Sequence, residues 1–369
     1  MIAYFLGTLN KGGLESLILD VCQQHSQVPY DFVCIYRHDG AYSQAFKDTG
    51  AHLIHIPCTN ILKYIVAVRQ TIKNNHITIV HSQTPSNTLI LAIALLGLKT
   101  KIITTMHGFT FSNVGGLYKW IVYHFSKKIL CVSEYQKRIY EQNWHLPTNN
   151  KLQVVYNGIN IKKFVQVQDE SVVLSHSSSS NLIKLCMVGN FVNVRSHKVI
   201  VESINLLKER GVTNFDFYFI GRRVDNEASL YDDCVTYCEE HQLENVHFLG
   251  AQENVPSLLH TMDGFVYSSA SDTFGIAVVE ALIAGLPTIV NDWVVMKEVT
   301  RDGQWATLFK TEDAEDCANK IQDLIEHLSE RKAQAQEIAQ QVREAYSIEK
   351  HIAKLNEIYG AVSREGKNE

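Results

Sequence analysis

The feature that most constrains this chain is an alternation that runs through it twice. Short runs rich in β-branched and aromatic residues occur at 2–6, 32–36, 53–56, 77–81, 102–106, 129–132 and 154–156. Between them lie longer stretches with helical spacing of apolar residues, such as 13–25, 62–74, 86–96 and 134–142. Strand, helix, strand in regular succession requires crossover connections, so the strands pair in parallel with helices on both faces. The rhythm stops at 165–181, a polar stretch containing HSSSSN, which reads as an interdomain linker and a loose loop. It then resumes with strands expected at 184–188, 215–220, 246–249, 264–267 and 288–290. The helices expected here are 196–209, 227–241, a short one near 255–260, and 275–284. A long polar helical segment follows over 312–345, and a last amphipathic segment, 349–362, has the length to pack back on the first half. The expectation is an α/β chain of two Rossmann-like domains with parallel sheets facing a central cleft. The first domain would be 1–164 joined by a C-terminal helix at 347–369, the linker 165–182, and the second domain 183–346. Ligands of open α/β sheets bind outside the carboxyl ends of the strands, so the loops there should carry the chemistry.

Size and composition agree with this frame. The 369 residues suffice for two separate cores. A net charge of −5 gives no support to nucleic-acid binding. No apolar run reaches the roughly 18 residues that span a bilayer. Met1 leads straight into a strand-like run without the basic region of a signal peptide, so a cytoplasmic location is expected. The eight cysteines fit it: they are scattered, and Cys34, Cys131 and Cys186 sit inside apolar runs. Cys234 and Cys238 fall one helical turn apart with no second pair, so they read as reduced packing thiols rather than metal ligands or a disulfide.

Several familiar signatures fail. Gly7 and Gly12 have the opening spacing of a phosphate-binding P-loop, but Gly13 and Leu14 stand where a Lys and a hydroxyl residue are required. No G-x-G-x-x-G, G-x-S-x-G or H-E-x-x-H occurs. The acids at 312–316 open a long polar helix, where they complement its dipole, and no metal site is expected there.

The informative stretch is 268–292, SSASDTFGIAVVEALIAGLPTIVND. Gly275 permits a tight strand-to-helix turn, and a helix N-terminus behind such a turn presents free N–H groups to a diphosphate. Asp272 lies in the turn, and Glu280 lies eight residues on, among Ile276, Ala277, Val279, Ala281 and Ile283. An acid in so apolar a helix normally has a partner. Carboxylates are strong acceptors for sugar and ribose hydroxyls.

These residues resemble the E-x7-E signature of glycosyltransferase family 4, a group of retaining enzymes with the GT-B fold. The matching positions are Asp272, Phe274-Gly275, Glu280-Ala281 and Gly285-Leu286-Pro287, with Asp in place of the first Glu. The resemblance implies that Asp272 contacts the transferred sugar, that Glu280 holds the ribose, and that the backbone of Thr273, Phe274, Gly275 and Ile276 binds sugar and phosphate. It extends over nearly the whole chain. Gly12-Gly13 with Glu15 is similar to the family's glycine loop near the donor phosphates. Thr105-Met106-His107-Gly108 is similar to its Thr-x-His-Gly element, whose His contacts the donor sugar. Val132-Ser133-Glu134 and Val155-Tyr156-Asn157-Gly158-Ile159-Asn160 resemble further landmarks, and 246–250 with Val255-Pro256 resembles the stretch that forms the base pocket. Where the family has Gly-Arg followed by Lys, this chain has Gly189-Asn190 and Arg195. Arg195 supplies a guanidinium able to bind phosphate bidentately. Arg222 or Arg223 either replaces the missing cation or is a surface pair in a loop.

Taken together, the resemblance implies transfer of a hexose or N-acetylhexosamine from a nucleotide diphosphate sugar, with a UDP-sugar favoured and a GDP-sugar second. His107, Asp272 and Arg195 would be the catalytic residues, with front-face attack, no enzyme nucleophile and no obligatory divalent metal or other cofactor. His107 is alternatively a core histidine. The acceptor would be a glycan or lipid-linked glycan in cell-surface polysaccharide synthesis. The aromatic and lysine-bearing segment 115–128 is open to two readings: an amphipathic helix resting on the inner face of the plasma membrane, or a core helix with a basic end. A GT-B sugar-nucleotide epimerase and a non-catalytic sugar-nucleotide-binding protein are the alternatives from other classes.

Overall fold

Parallel strands form two separate sheets, each with helices packed on both faces. The computed structural model describes residues 1–109, 115–144, 150–165 and 182–364. It divides into two units: residues 1–159 with the chain from Tyr346 onward, and Asn160–Ala345. The stretch read as a linker lies, apart from Val165 and Leu182, outside the described residues.

In unit 1 the strands are β1 (Ile2–Thr8), β2 (Phe32–His38), β3 (Leu53–His55), β4 (Ile79–Ser82), β5 (Lys101–Met106), β6 (Ser126–Cys131) and β7 (Leu152–Val154). Their order is β3-β2-β1-β4-β5-β6-β7. The helices are α1 (Gly13–Gln23), α2 (Ser43–Asp48), α3 (Ile61–Asn74), α4 (Pro85–Ala94), α5 (Gly116–Phe125) and α6 (Glu134–Trp144), with α15 (Ile348–Arg364) arriving from the far end of the sequence. Alternate residues of a strand point to opposite faces. In β1, Tyr4 and Leu6 pack with Leu17, Val21 and Ile352 of α1 and α15, while Ala3 and Phe5 pack with Val68 of α3 and Leu91 of α4. Because both faces are covered, the strands read as unbroken apolar runs rather than as alternating ones. Two caps fix where helices begin: Asn60 Oδ1 accepts from the N–H groups of Leu62 and Lys63, and Thr84 precedes Pro85 at the first turn of α4.

Unit 2 has β8 (Ile183–Val188), β9 (Phe215–Ile220), β10 (Val246–Gly250), β11 (Gly264–Tyr267), β12 (Thr288–Asn291) and β13 (Thr307–Phe309), in the order β10-β9-β8-β11-β12-β13. Its helices are α7 (Lys162–Val165), α8 (His197–Glu209), α9 (Ala228–Glu240), α10 (Val255–His260), α11 (Ile276–Ala284), α12 (Val294–Val299), α13 (Ala314–Glu326) and α14 (Leu328–Tyr346).

The fold corrects the sequence reading in several places. Residues 115–128 are not one helix: α5 ends at Phe125, and Lys127 and Lys128 open strand β6. The segment 312–345 is two helices, separated at His327 without a Gly or Pro to mark the break. The elements α2, α12 and β13 were not anticipated, and β7 lies at Leu152–Val154 rather than 154–156. All eight cysteines are free thiols, and Cys234 and Cys238 are both buried on α9.

Candidate functional site

In the second sheet the strand order reverses between β8 and β11, and the carboxyl ends of strands at such a switch point are where open α/β sheets take ligands. Hydrogen bonds tie together the two loops that leave β8 and β11. The Ala270 N–H and the Ser269 hydroxyl both donate to the Val194 carbonyl, each at 2.9 Å, and the Ser196 N–H donates to the Ser268 carbonyl at 3.2 Å. Asn291, at the end of β12, braces the same turn: its Oδ1 accepts the Ser269 N–H at 3.0 Å and its Nδ2 donates to the Ser269 carbonyl at 2.8 Å.

Arg195 and Asp272 meet on this frame through a residue that sequence reasoning missed. Arg195 Nε donates to the Tyr267 hydroxyl at 2.9 Å, and that hydroxyl donates to Asp272 Oδ2 at 2.6 Å. Tyr267 is fully buried, and burial followed by the Asp272 charge pushes its phenol well above the ordinary value, so the proton stays on it. The Tyr267 oxygen, then the Asp272 carboxylate, raise the Arg195 pKa, outweighing burial. Gly189 makes room for this arrangement, since a Cβ there would sit 2.8 Å from Cδ and Nε of Arg195. The only sequence signal for Tyr267 was a hydroxyl-bearing aromatic at the carboxyl end of a switch-point strand.

Gly275 caps α11 in the left-handed region, φ 78°, and a Cβ there would meet the Met296 side chain at 2.7 Å. The first N–H groups of the helix have no intrahelical acceptor, and Thr273, Phe274 and Ile276 line the same turn. Glu280 is half-buried on α11, flanked by the buried Val279 and Ala281. Asn190 stands at the other loop: its Oδ1 accepts the Arg222 N–H at 3.1 Å, so it braces the backbone after β9. Of the two arginines weighed for the missing cation, Arg223 is paired bidentately with Asp232, at 2.8 Å for each bond. The Arg222 side chain is exposed.

Unit 1 holds the remaining candidates. Gly12 and Gly13 lead into α1, whose first turn carries Glu15 with its carboxyl raised by burial. His107 follows β5, and its Nε2 lies 3.2 Å from Gln83 Oε1. Burial, with a smaller contribution from His351, lowers the His107 pKa to about 3, so the ring is neutral near pH 7. Thr8 Oγ1 at the end of β1 and Gln83 Nε2 just past β4 are buried without a hydrogen-bond partner among the described residues. These positions flank the point where the first sheet's order reverses, between β1 and β4. Among the described residues no group of three His, Cys, Asp or Glu side chains is placed to hold a metal ion. A cavity of about 430 Å³ lined by Thr288, Thr307, Asp323 and Arg331 lies at the amino ends of β12 and β13, away from these groups.

Comparison with known proteins gives the family and the fold. Residues 11–163 match the model of Glycosyltransferase Family 4, and residues 170–342 match that of Glycosyl transferases group 1. The putative glycosyltransferase EpsF of Bacillus subtilis is 25% identical over 80% of each chain. The UDP-Gal:alpha-D-GlcNAc-diphosphoundecaprenol alpha-1,3-galactosyltransferase of Escherichia coli is 21% identical over 76% of each. Among solved structures, Anabaena HepE in complex with UDP and glucose superposes with a TM-score of 0.85 at 16% identity, over 98% of this chain and 100% of that one. The two Rossmann-like sheets and the family models that between them take in both units make this chain a glycosyltransferase of the GT-B fold, with a Family 4 first half and a group 1 second half.

Proposed function

We propose that the enzyme transfers a hexose or N-acetylhexosamine from a UDP-sugar to a glycan or lipid-linked glycan acceptor, with the anomeric configuration retained. A GDP-sugar is the second choice of donor. The observation that carries the reading is the Arg195–Tyr267–Asp272 line beside the Gly275 helix N-terminus, at the switch point of the second sheet. Departure of a diphosphate develops negative charge, and a fixed guanidinium with a helix N-terminus stabilises it without reorganising. Asp272 supplies negative charge near an oxocarbenium-like sugar, Glu280 accepts from the ribose hydroxyls, and Gly12, Gly13 and Asn190 shape the phosphate surroundings. His107, neutral, offers hydrogen bonds to the sugar. In this reading no divalent metal is required.

The HepE complex with UDP and glucose supports the choice of donor, and the Escherichia coli galactosyltransferase, which acts on a diphosphoundecaprenol-linked sugar, supports a diphosphopolyprenol-linked acceptor. Work on such an acceptor implies the cytoplasmic face of a membrane and peripheral contact with it. Among the described residues no helix is long and apolar enough to cross a bilayer. Thermal-shift titration with UDP-, GDP- and ADP-sugars tests the donor, since a ligand bound to the native state raises apparent stability. Proton NMR of the product, with and without EDTA, tests stereochemistry and metal independence. An inverted product, or loss of turnover in EDTA restored by a divalent cation, would overturn the corresponding part of the reading.

A further inference from the structure

Acidic residues are absent from one long part of this acidic chain. Residues 49–133 contain none of its 39 Asp and Glu but eight of its 34 Lys and Arg. They run from the turn before β3 to the start of α6 and include α3, α4 and α5. These three helices adjoin in sequence order, α3 against α4 and α4 against α5, and Arg69 of α3 ties the first pair by donating to the carbonyls of Ala94 and Leu96.

Their inner faces carry the expected core residues, Tyr64, Val68, Leu91 and Val122 among them. Their outer faces, with the turn that follows α4, carry large apolar side chains in the open. Leu62 is 70% exposed and Leu117 is 73% exposed, and Val66, Ile93, Leu96 and Trp120 are each about half exposed. Where α5 gives way to β6 and β7, a notch of about 330 Å³ is lined by Lys127, Lys128, Asn150 and Lys151. Lys151 lies over the ring of Tyr123 from α5, 4.3 Å from its centroid, so the notch continues from the helix layer. Burial first, then the charges of Lys127 and Lys128, lowers the Lys151 pKa, as in a cluster of like charges.

We propose that the outer face of α3, α4 and α5, with the lysine notch beside it, docks this enzyme on the surface of an anionic lipid bilayer. Apolar side chains on this face would enter the boundary between headgroups and acyl chains, while the lysines meet lipid phosphates. Charge complementarity selects the occupant. A second copy of the chain presenting the same face would oppose like charge with like, whereas an anionic membrane satisfies the apolar and the basic components together. The surface gives the peripheral contact of the proposed function a location, and it replaces the single basic helix read from 115–128 with three helices and two strand ends.

The test is co-sedimentation of the full chain with vesicles of phosphatidylcholine alone or mixed with phosphatidylglycerol. Binding is expected only with phosphatidylglycerol and should fall as salt rises. Lys127→Gln and Lys128→Gln should each lower the partition coefficient about fivefold, and the triple variant Leu62→Ser/Leu117→Ser/Trp120→Ser should abolish binding. Circular dichroism and the thermal shift produced by UDP, a readout of donor binding, establish that each variant is folded. Failure of the vesicle result with the UDP shift intact would sink the docking surface alone, and loss of the UDP shift in the wild type would sink the donor reading alone. Equal binding to both vesicle types, unchanged binding by the variants, or wild-type dimers in light scattering that the triple variant dissolves would overturn the proposal.

Discussion

The Tyr267 hydroxyl stands 2.6 Å from Asp272 Oδ2, which fixes a carboxylate that is one methylene shorter than the glutamate common at its position. A shorter side chain reaches less far but also loses a rotatable bond, and this hydrogen bond removes most of the freedom that remains. The same hydroxyl accepts from Arg195, so the phenol sets the spacing between a carboxylate and a guanidinium with opposite tasks. Tyr267→Phe keeps the ring and deletes the link. Losing a hydrogen bond to a charged group costs about 1.5–3 kcal/mol, so kcat should fall roughly 10- to 150-fold. UDP affinity should change little. A variant with normal kcat would show that Asp272 needs no such anchor.

Glu280→Gln should weaken donor binding by removing a charge-assisted hydrogen bond to the ribose. The expected loss is about 1.5–3 kcal/mol, or roughly 10- to 150-fold in Kd, read by calorimetric titration with UDP. An unchanged Kd in a folded variant would remove Glu280 from the site.

Arg195→Ala should depress turnover of every accepted nucleotide sugar by about 10²–10³, because the diphosphate is common to them all. Kinetics with two donors that differ in their sugar make the check. An effect confined to one donor would mark Arg195 as a sugar-specificity residue.

His107→Ala and Asp272→Asn should each lower kcat by about 10² or more while leaving UDP binding near normal, since both are assigned to the transferred sugar. Any residual product should keep the anomeric configuration of the donor. Full activity in His107→Ala would take the histidine out of the chemistry and leave it a core residue.

Stability should fall with pH well before the carboxylates titrate. Burial lowers His107 and His197 to about 3 and His351 to about 4, and holds His81 well below the ordinary value. Above the unfolded value of about 6.5 both states carry these rings neutral and nothing is lost. As the pH drops below it the unfolded chain takes up protons that the folded one refuses. Each ring then costs up to about 1.4 kcal/mol per pH unit, until its folded pKa is reached. Urea unfolding followed by tryptophan fluorescence from about pH 7 to about pH 5 should show a steadily falling midpoint. A midpoint constant over that window would mean these rings are not held neutral.

Much of this was legible in the sequence, for a specific reason. Parallel sheets covered on both faces need continuous apolar strands, and the runs around Tyr4, Ile35 and Phe217 stand out as such. The turn at Gly275 was equally plain, because a left-handed cap before an apolar helix calls for glycine. What stayed hidden were roles set by distance across loops. Tyr267 reads as one more strand aromatic until its hydroxyl is seen against Asp272. Asn190 reads as a lost cation until its side-chain Oδ1 is found accepting the Arg222 N–H. Arg223 reads as a free cation because its partner, Asp232, lies nine residues on, across the turn that leads into α9. The change from helix to strand at Ser126 has no Gly or Pro to announce it, so Lys127 and Lys128 were assigned to the wrong kind of element.

The return of α15 to unit 1 has a consequence for how the chain is made. Ile352, Leu355 and Tyr359 fill a face of the first sheet, and the Tyr359 hydroxyl meets His81 Nδ1 at 2.6 Å, across 278 positions of sequence. All of unit 2 is translated between the two partners. At the ribosome the first sheet therefore waits with α1 on this face but its α15 contacts unmade and His81 Nδ1 without its partner, while the second unit has every strand it needs and can close first. The half synthesised first is the half completed last.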